Sequence, residues 1–144
     1  MTALAKDRNT PRLEGDVYSG LVAASTTIFA GALLMRNAAG YIVEGQTATG
    51  LVGVGRAEER VDNGSGSNGD LTVSFRPGVY PFENSAGADE ITIAEIGDVV
   101  YAVDDQTVAK TDGTASRSPA GVVANVDADG VVWVRLDEAL TKAS

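Results

Sequence analysis

Apolar residues in this chain alternate with polar ones over short stretches and never hold a helical spacing for long. Residues 71–75, LTVSF, alternate strictly, which is the pattern of a strand with one covered face. Residues 26–29, TTIF, are β-branched and aromatic, side chains that pack well on a pleated surface. Residues 17–21 predict a short strand before them, and residues 32–36 and 41–44 predict two more, joined by the turn Asn37-Ala38-Ala39-Gly40. Residues 51–61, LVGVGRAEERV, predict a buried strand in the first half and, over 56–60, a charged strand in preference to one helical turn. Residues 62–70, DNGSGSNGD, predict a loop. Residues 79–82 predict a strand in which Pro81, having no N–H to donate, sits at an edge or a bulge. Residues 91–96, ITIAEI, admit either a strand or a helical turn capped by Gly97.

The last third repeats this layout. Residues 98–103, 121–126 and 131–136 are apolar runs bounded by Asp and Gly clusters, and Asp129-Gly130 between the last two is a hairpin signal. Gly31 to Met35 stands where Gly97 to Tyr101 stands later, and Tyr41 to Val43 where Thr107 to Ala109 stands. Gly53-Val54 matches Gly121-Val122, and Gly69 to Val73 matches Gly130 to Val134. Two copies of one four-strand unit account for these matches; a chance likeness between two meanders is the competing explanation. About nine or ten short strands with Gly-rich turns predict an all-β fold, a small barrel or a jelly-roll-like sandwich. The chain divides into an extended N-terminal arm, 1–15, a β body, 16–137, and a short tail, 138–144, within one domain.

Composition narrows the chemistry. The chain has no Cys and no His, which removes disulfides, thiolate nucleophiles, the commonest general base and the commonest metal ligand. No apolar run approaches the roughly 20 residues of a membrane helix. Residues 1–16 carry charges but no apolar signal core, so no secretory signal is expected. Lys6, Arg8 and Arg12 against Asp7 give residues 1–13 a charge of +2; with −9 for the whole chain, the remaining residues carry −11. So acidic a body repels nucleic acid and favours solubility. The asymmetry sets a basic arm apart from it.

The candidate sites each meet a plainer reading. Asp104-Asp105 could be an acid pair, but neighbours on a strand face opposite ways, and a turn explains both. The oxygen-bearing 62–70 loop lacks carboxylates where a calcium loop needs them, because Gly64 and Gly66 occupy those places; Asp127 and Asp129 read as a turn in the same way. Gly50, Gly53 and Gly55 lack the Lys-Ser/Thr ending of a phosphate loop. Glu58 and Glu59 could serve as glycosidase carboxylates, yet solvation is the simpler expectation. Lys6, Lys110 and Lys142 lie in poor contexts for a Ser–Lys pair. Trp133, the only Trp, could be a sugar platform; at the centre of an apolar strand, core is the expected place. No catalytic residue, metal or cofactor is expected.

At residues 28–43, IFAGALLMRNAAGYIV, and again at 96–136, the chain resembles the tailed-bacteriophage capsid cement, or head decoration, proteins. The middle of the pattern is Gly53-Val54 followed by Val61-Asp62-Asn63-Gly64. The late block runs Ile96-Gly97-Asp98-Val99-Val100-Tyr101, Asp104-Asp105-Gln106-Thr107-Val108, Gly121-Val122-Val123 and Trp133-Val134-Arg135-Leu136. The likeness spans residues 16–137, with Gly55 to Arg60 more charged than the pattern. It implies a small β-barrel or jelly-roll protein of the virion, made in the bacterial host cytoplasm and carried on the capsid exterior. It implies binding to the major capsid protein, bracing of neighbouring subunits, and self-association as dimer or trimer at local symmetry axes, with no enzyme activity and no nucleic-acid or membrane partner. The arm then supplies the contacts expected of Leu4, Lys6, Arg8, Arg12 and Leu13, because an ordering segment wraps a large surface on binding. A carbohydrate-binding β-sandwich displayed on the virion and a head–tail connector or tail subunit are the alternatives.

Overall fold

The computed structural model describes residues 2–8 and 16–144. Among these, twelve strands and one short α-helix form: β1 (Tyr18–Leu21), β2 (Thr26–Ile28), β3 (Leu33–Arg36), β4 (Ile42–Glu44), β5 (Val52–Ala57), β6 (Val61–Asn63), β7 (Thr72–Arg76), β8 (Gly78–Asn84), β9 (Val99–Ala102), β10 (Thr107–Ala109), β11 (Pro119–Val126), β12 (Val132–Leu136) and α1 (Glu138–Ala143). The fold is all-β, as the alternation requires. Strands outnumber the sequence expectation because residues 51–63 break into β5 and β6 around a bend, and β6 extends to Asn63.

Two five-stranded units follow each other along the chain. In the first, the order is β1-β7-β5-β3-β4; in the second, β8-β12-β11-β9-β10 close into a barrel. The orders are the same when β1, β3, β4, β5 and β7 are matched with β8, β9, β10, β11 and β12. Register confirms the match. Leu34 opposes Gly55 as Val100 opposes Gly121, and Arg36 opposes Ile42 as Ala102 opposes Val108, so three strands are related by a constant 66 residues. Tyr18 opposes Phe75 as Tyr80 opposes Val134, relating the first strands by 62 residues and the last by 59.

Closure is also shared. A parallel pairing joins β8 to β10, at Thr107 with Glu83 and Val108 with Asn84. In the first unit a single parallel bridge, Val22 to Ile42, does the same, with the Ala23 N–H donating to the Ile42 carbonyl at 2.9 Å. The units differ in length at two places. Between the first and second strands the first unit inserts β2 and the second inserts two 3-10 turns, Gly87–Asp89 and Ile93–Glu95. Between the fourth and fifth the first unit inserts β6, which pairs with β2 as a ribbon, where the second has only the Asp127–Val131 turn. The sequence match of Gly53 with Gly121 and Val73 with Val134 is therefore shifted by two residues on each strand: register assigns Gly55 and Phe75 to those places.

Each unit has its own core. Leu34, Ile42, Val54, Val73 and Phe75 fill the first, and Phe82, Val100, Val108, Val132 and Val134 fill the second. Leu33, Met35 and Val43 point away from the first core and join the second cluster. Strand β3 is thus buried on both faces, which explains its unbroken apolar run. The two units touch through equivalent strands: a Cβ on Gly53 of β5 would overlap the Ala120 carbonyl of β11, so Gly is required for that close approach.

One local expectation changes and two open ones are resolved. The 138–144 tail is mostly helix: Asp137 caps α1 by accepting from the Leu140 N–H at 2.9 Å, and Thr141 is buried where α1 lies on β5 and β11. Residues 91–96 contain a 3-10 turn, not a strand; Thr92 and Glu95 cap it reciprocally, and Gly97 follows at φ +93°. Pro81 sits inside β8, opposite Trp133, just before β8 leaves β12 and pairs with β10. A missing donor is tolerated there because that stretch has one neighbour only.

Candidate functional site

The arm contributes Leu4, Lys6 and Arg8 to the described residues; Arg12 and Leu13 lie outside them. Residues 2–8 are all exposed, with Leu4 at 73%, and no ion pair joins them to the body among the described residues. The structure therefore gathers Leu4, Lys6 and Arg8 on one free segment and brings none of them to a cleft.

The carboxylates weighed above serve turns and ion pairs. Asp104 Oδ1 accepts from the Gln106 N–H at 2.9 Å. Asp62 accepts from the Gly64 N–H and the Thr27 hydroxyl, which hold its carboxyl below the usual range. Glu58 is not simply solvated: it takes Arg56 at 2.9 Å and Arg76 at 3.3 Å, while Glu59 accepts from the Ser74 N–H at 2.9 Å. Arg56 also lies 4.6 Å from the Tyr80 ring centre, so this network ties the first unit to β8 of the second. Among the described residues no group of three or more His, Cys, Asp or Glu could hold a metal ion.

Trp133 is half-buried on the outer face of the second barrel, not in the core. Its Nε1–H donates to Asp127 Oδ2 at 2.9 Å, which fixes the ring beside Pro81 and Asn125. Alternation on β12 explains the placement: Val132, Val134 and Leu136 take the inward positions, leaving Trp133 and Arg135 outside.

Sequence reasoning missed Asn63, which it placed in a loop. The side chain is buried and donates to the Ala23 carbonyl at 2.9 Å and the Ser67 carbonyl at 3.0 Å, fastening the 64–70 loop to the ribbon. It also missed a trough between the units. Three cavities of about 320, 330 and 370 Å³ run into one another, sharing Gly31 and Gln106 at one junction and Glu83 and Val131 at the other. Its lining includes Asp105, Glu83, Glu90 and Asp129 and, among the described residues, no Lys or Arg; Arg60 stands nearby, stacked on the Phe29 ring at 5.2 Å. The carboxylates come from different elements, so no motif in the sequence could have grouped them.

A separate groove of about 350 Å³ lies at the mouth of the first unit between β1 and α1, bridged by Arg36 and Glu138 at 2.8 Å. No protein-family model, curated protein or solved structure matches the chain.

Proposed function

We propose that this chain is a structural virion protein, a capsid cement or decoration protein that binds the outer surface of an icosahedral phage head and braces adjacent major capsid protein subunits. The observation that carries the reading is the exposed basic segment 2–8 beside a compact double β unit of opposite charge. A brace needs a rigid body and an extended piece that spends its contacts on a neighbour. The likeness at residues 28–43 and 96–136 supports it independently. Repetition over a shell turns weak contacts of this kind into firm attachment.

The test is co-sedimentation with phage shells stripped of the protein. The full chain should pellet with shells, and removal of residues 2–8 should weaken binding about tenfold while leaving the melting temperature of the free protein nearly unchanged. A full chain that stays in the supernatant sinks the reading. A truncated chain that binds as well as the full one removes the arm from it.

One observation favours a second reading. Trp133 is partly exposed with its ring fixed, as in a carbohydrate-binding platform displayed on the virion. Host-surface glycans that quench its fluorescence would move the balance to that reading; no quenching at millimolar sugar would end it.

A further inference from the structure

We propose that the acidic trough between the two units is the docking site for the basic N-terminal segment of a second copy of this chain. The inference deepens the decoration reading, because it assigns the arm a neighbour, and it rests on that reading only for the arm's outward reach.

The trough has the chemistry of a site for an extended basic peptide. Asp105, Glu83, Glu90 and Asp129 line it, and none of them is in an ion pair among the described residues. Phe29, 54% exposed, and Val131 give it apolar surface between the charges. Glu83, Glu90 and Asp129 line one cavity and Asp105 lines the far end of the trough, so an incoming cation meets unpaired carboxylates along its length. The arm carries Lys6 and Arg8 on either side of Asp7; standing two residues apart, the two cations project to one side wherever the segment is extended, with Asp7 on the other. Leu4 falls on that same side and matches the apolar surface of the trough. Residues 2–8 are exposed in the single chain, so they are available to reach another copy.

The geometry also favours exchange between copies. Each chain carries one arm and one trough, so exchange is head-to-tail, and it closes into a ring when the rotation between copies permits. A ring of few copies is what a local symmetry axis accepts.

The experiment is sedimentation equilibrium of the full chain, with no shell present, so its outcome is separate from that of the co-sedimentation test. The wild-type chain should self-associate at low salt and do so less as salt rises, because the facing charges are exposed. Glu83→Lys with Glu90→Lys should weaken self-association about tenfold, and Lys6→Glu with Arg8→Glu should do the same, as two exposed pairs are lost in each case. All four side chains are exposed, so the fold should survive, and circular dichroism checks this. Mixing the two variants should restore association, since the reversed arm of one now faces the reversed trough of the other. A chain that stays monomeric at all concentrations overturns the proposal. So does a mixture that stays inert, the result expected if the arm lies in its own trough. Variants that associate like wild type overturn it as well, and leave the trough to a different protein.

Discussion

The two units share strand order, closure and register, yet at equivalent places they differ in side-chain size in a compensated way. The first unit has Leu34, Ile42 and Phe75 where the second has Val100, Val108 and Val134. Next to these, on the first strand, Gly20 in one unit is replaced by Phe82 in the other: Gly20 opposes Val73 and Phe82 opposes Val132. The aromatic ring has moved to the neighbouring strand. A Cβ on Gly20 would come within 2.6 Å of Ile42 Cγ1 and 3.3 Å of the Phe75 ring, so the two solutions exclude each other. Packed interiors respond to volume and shape more than to identity. Two copies of one unit can therefore keep their backbone register while little of the sequence still agrees. Only Tyr18/Tyr80, Gly31/Gly97, Gly55/Gly121, Val73/Val132 and Arg76/Arg135 remain identical among the places named here.

The largest test of that comparison is the ring itself. Phe75→Ala and Phe82→Ala should each destabilise the protein by about 3–5 kcal/mol in chemical denaturation, because each removes the one buried aromatic ring of its core and leaves a cavity. A loss below about 1 kcal/mol for either would mean that its unit does not depend on a single ring, and the size-exchange account would fail.

Smaller effects come from the paired glycines. Gly55 and Gly121 lie where the next strand crosses closely. A Cβ on Gly55 would stand 2.8 Å from the Arg76 carbonyl oxygen, and one on Gly121 would stand closer still to that of Arg135. Neither residue has positive φ, so the cost of Ala is steric. Gly121→Ala should cost about 2–3 kcal/mol and Gly55→Ala about 1–2 kcal/mol, the range of overpacking in a tight site. Equal melting temperatures for wild type and both variants would show that the shared close approach is not a requirement of the unit.

These glycines also mark where sequence pattern stops. The repeat was legible as four strands in chain order, because Gly31 and Gly97 end loops in the same way and Tyr41 to Val43 matches Thr107 to Ala109 in step; the first strand of each unit, β1 and β8, and the order in the sheet were not. The match on the next strand was two residues out. Gly53 and Gly55 are interchangeable by pattern, since a shift of two leaves every side chain on its own face. The same ambiguity displaced Val73 for Phe75. Only hydrogen-bond partners resolve it. The ribbon was hidden for another reason: Asn63 is polar in a Gly/Ser run, and its burial depends on carbonyls from residues 23 and 67, distant or local contacts that no periodicity encodes. Helix α1, of six residues, is too short to form unaided and owes its existence to packing on β5 and β11. The charges of Lys6 and Arg8 are plain in the sequence, whereas the trough needed four elements to be brought together.

Trp133 sharpens the comparison at the surface. Its counterpart by register is Ser74, which lies against Glu59 in the first unit. Trp133→Ala should cost about 1–2 kcal/mol, less than the inward Phe residues, because part of the ring already meets solvent and one hydrogen bond to Asp127 is lost. Guanidinium titration followed by circular dichroism measures it. A cost of 3 kcal/mol or more would place the ring in the core after all.

The smallest expected effect falls at Glu44, whose register counterpart is Lys110. Lys110 is exposed, with its Nζ 4.0 Å from Glu95, so its charge meets solvent and an opposite partner. Glu44 occupies the same place with the opposite difficulty. Its Oε2 is buried without a hydrogen-bond partner among the described residues, and Gln46 Nε2 approaches Oε1 at only 3.4 Å. Burial raises its pKa above the ordinary 4.5, and the nearby charge of Asp105 pushes the same way. A carboxyl raised in the folded state binds its proton more tightly there than in the unfolded chain. Its contribution to stability is full below 4.5 and is lost as pH climbs through the folded value, so at neutral pH the ionised group is a burden. Glu44→Gln removes the titration. The variant should melt higher than wild type at pH 7, by a margin on the order of 1 kcal/mol or less, and the advantage should vanish toward pH 4. Parallel melting curves across that range would mean that Glu44 carries no strain. An advantage that grew as pH fell would reverse the sign of the effect, and with it the account of why one unit keeps a carboxylate where the other keeps an amine.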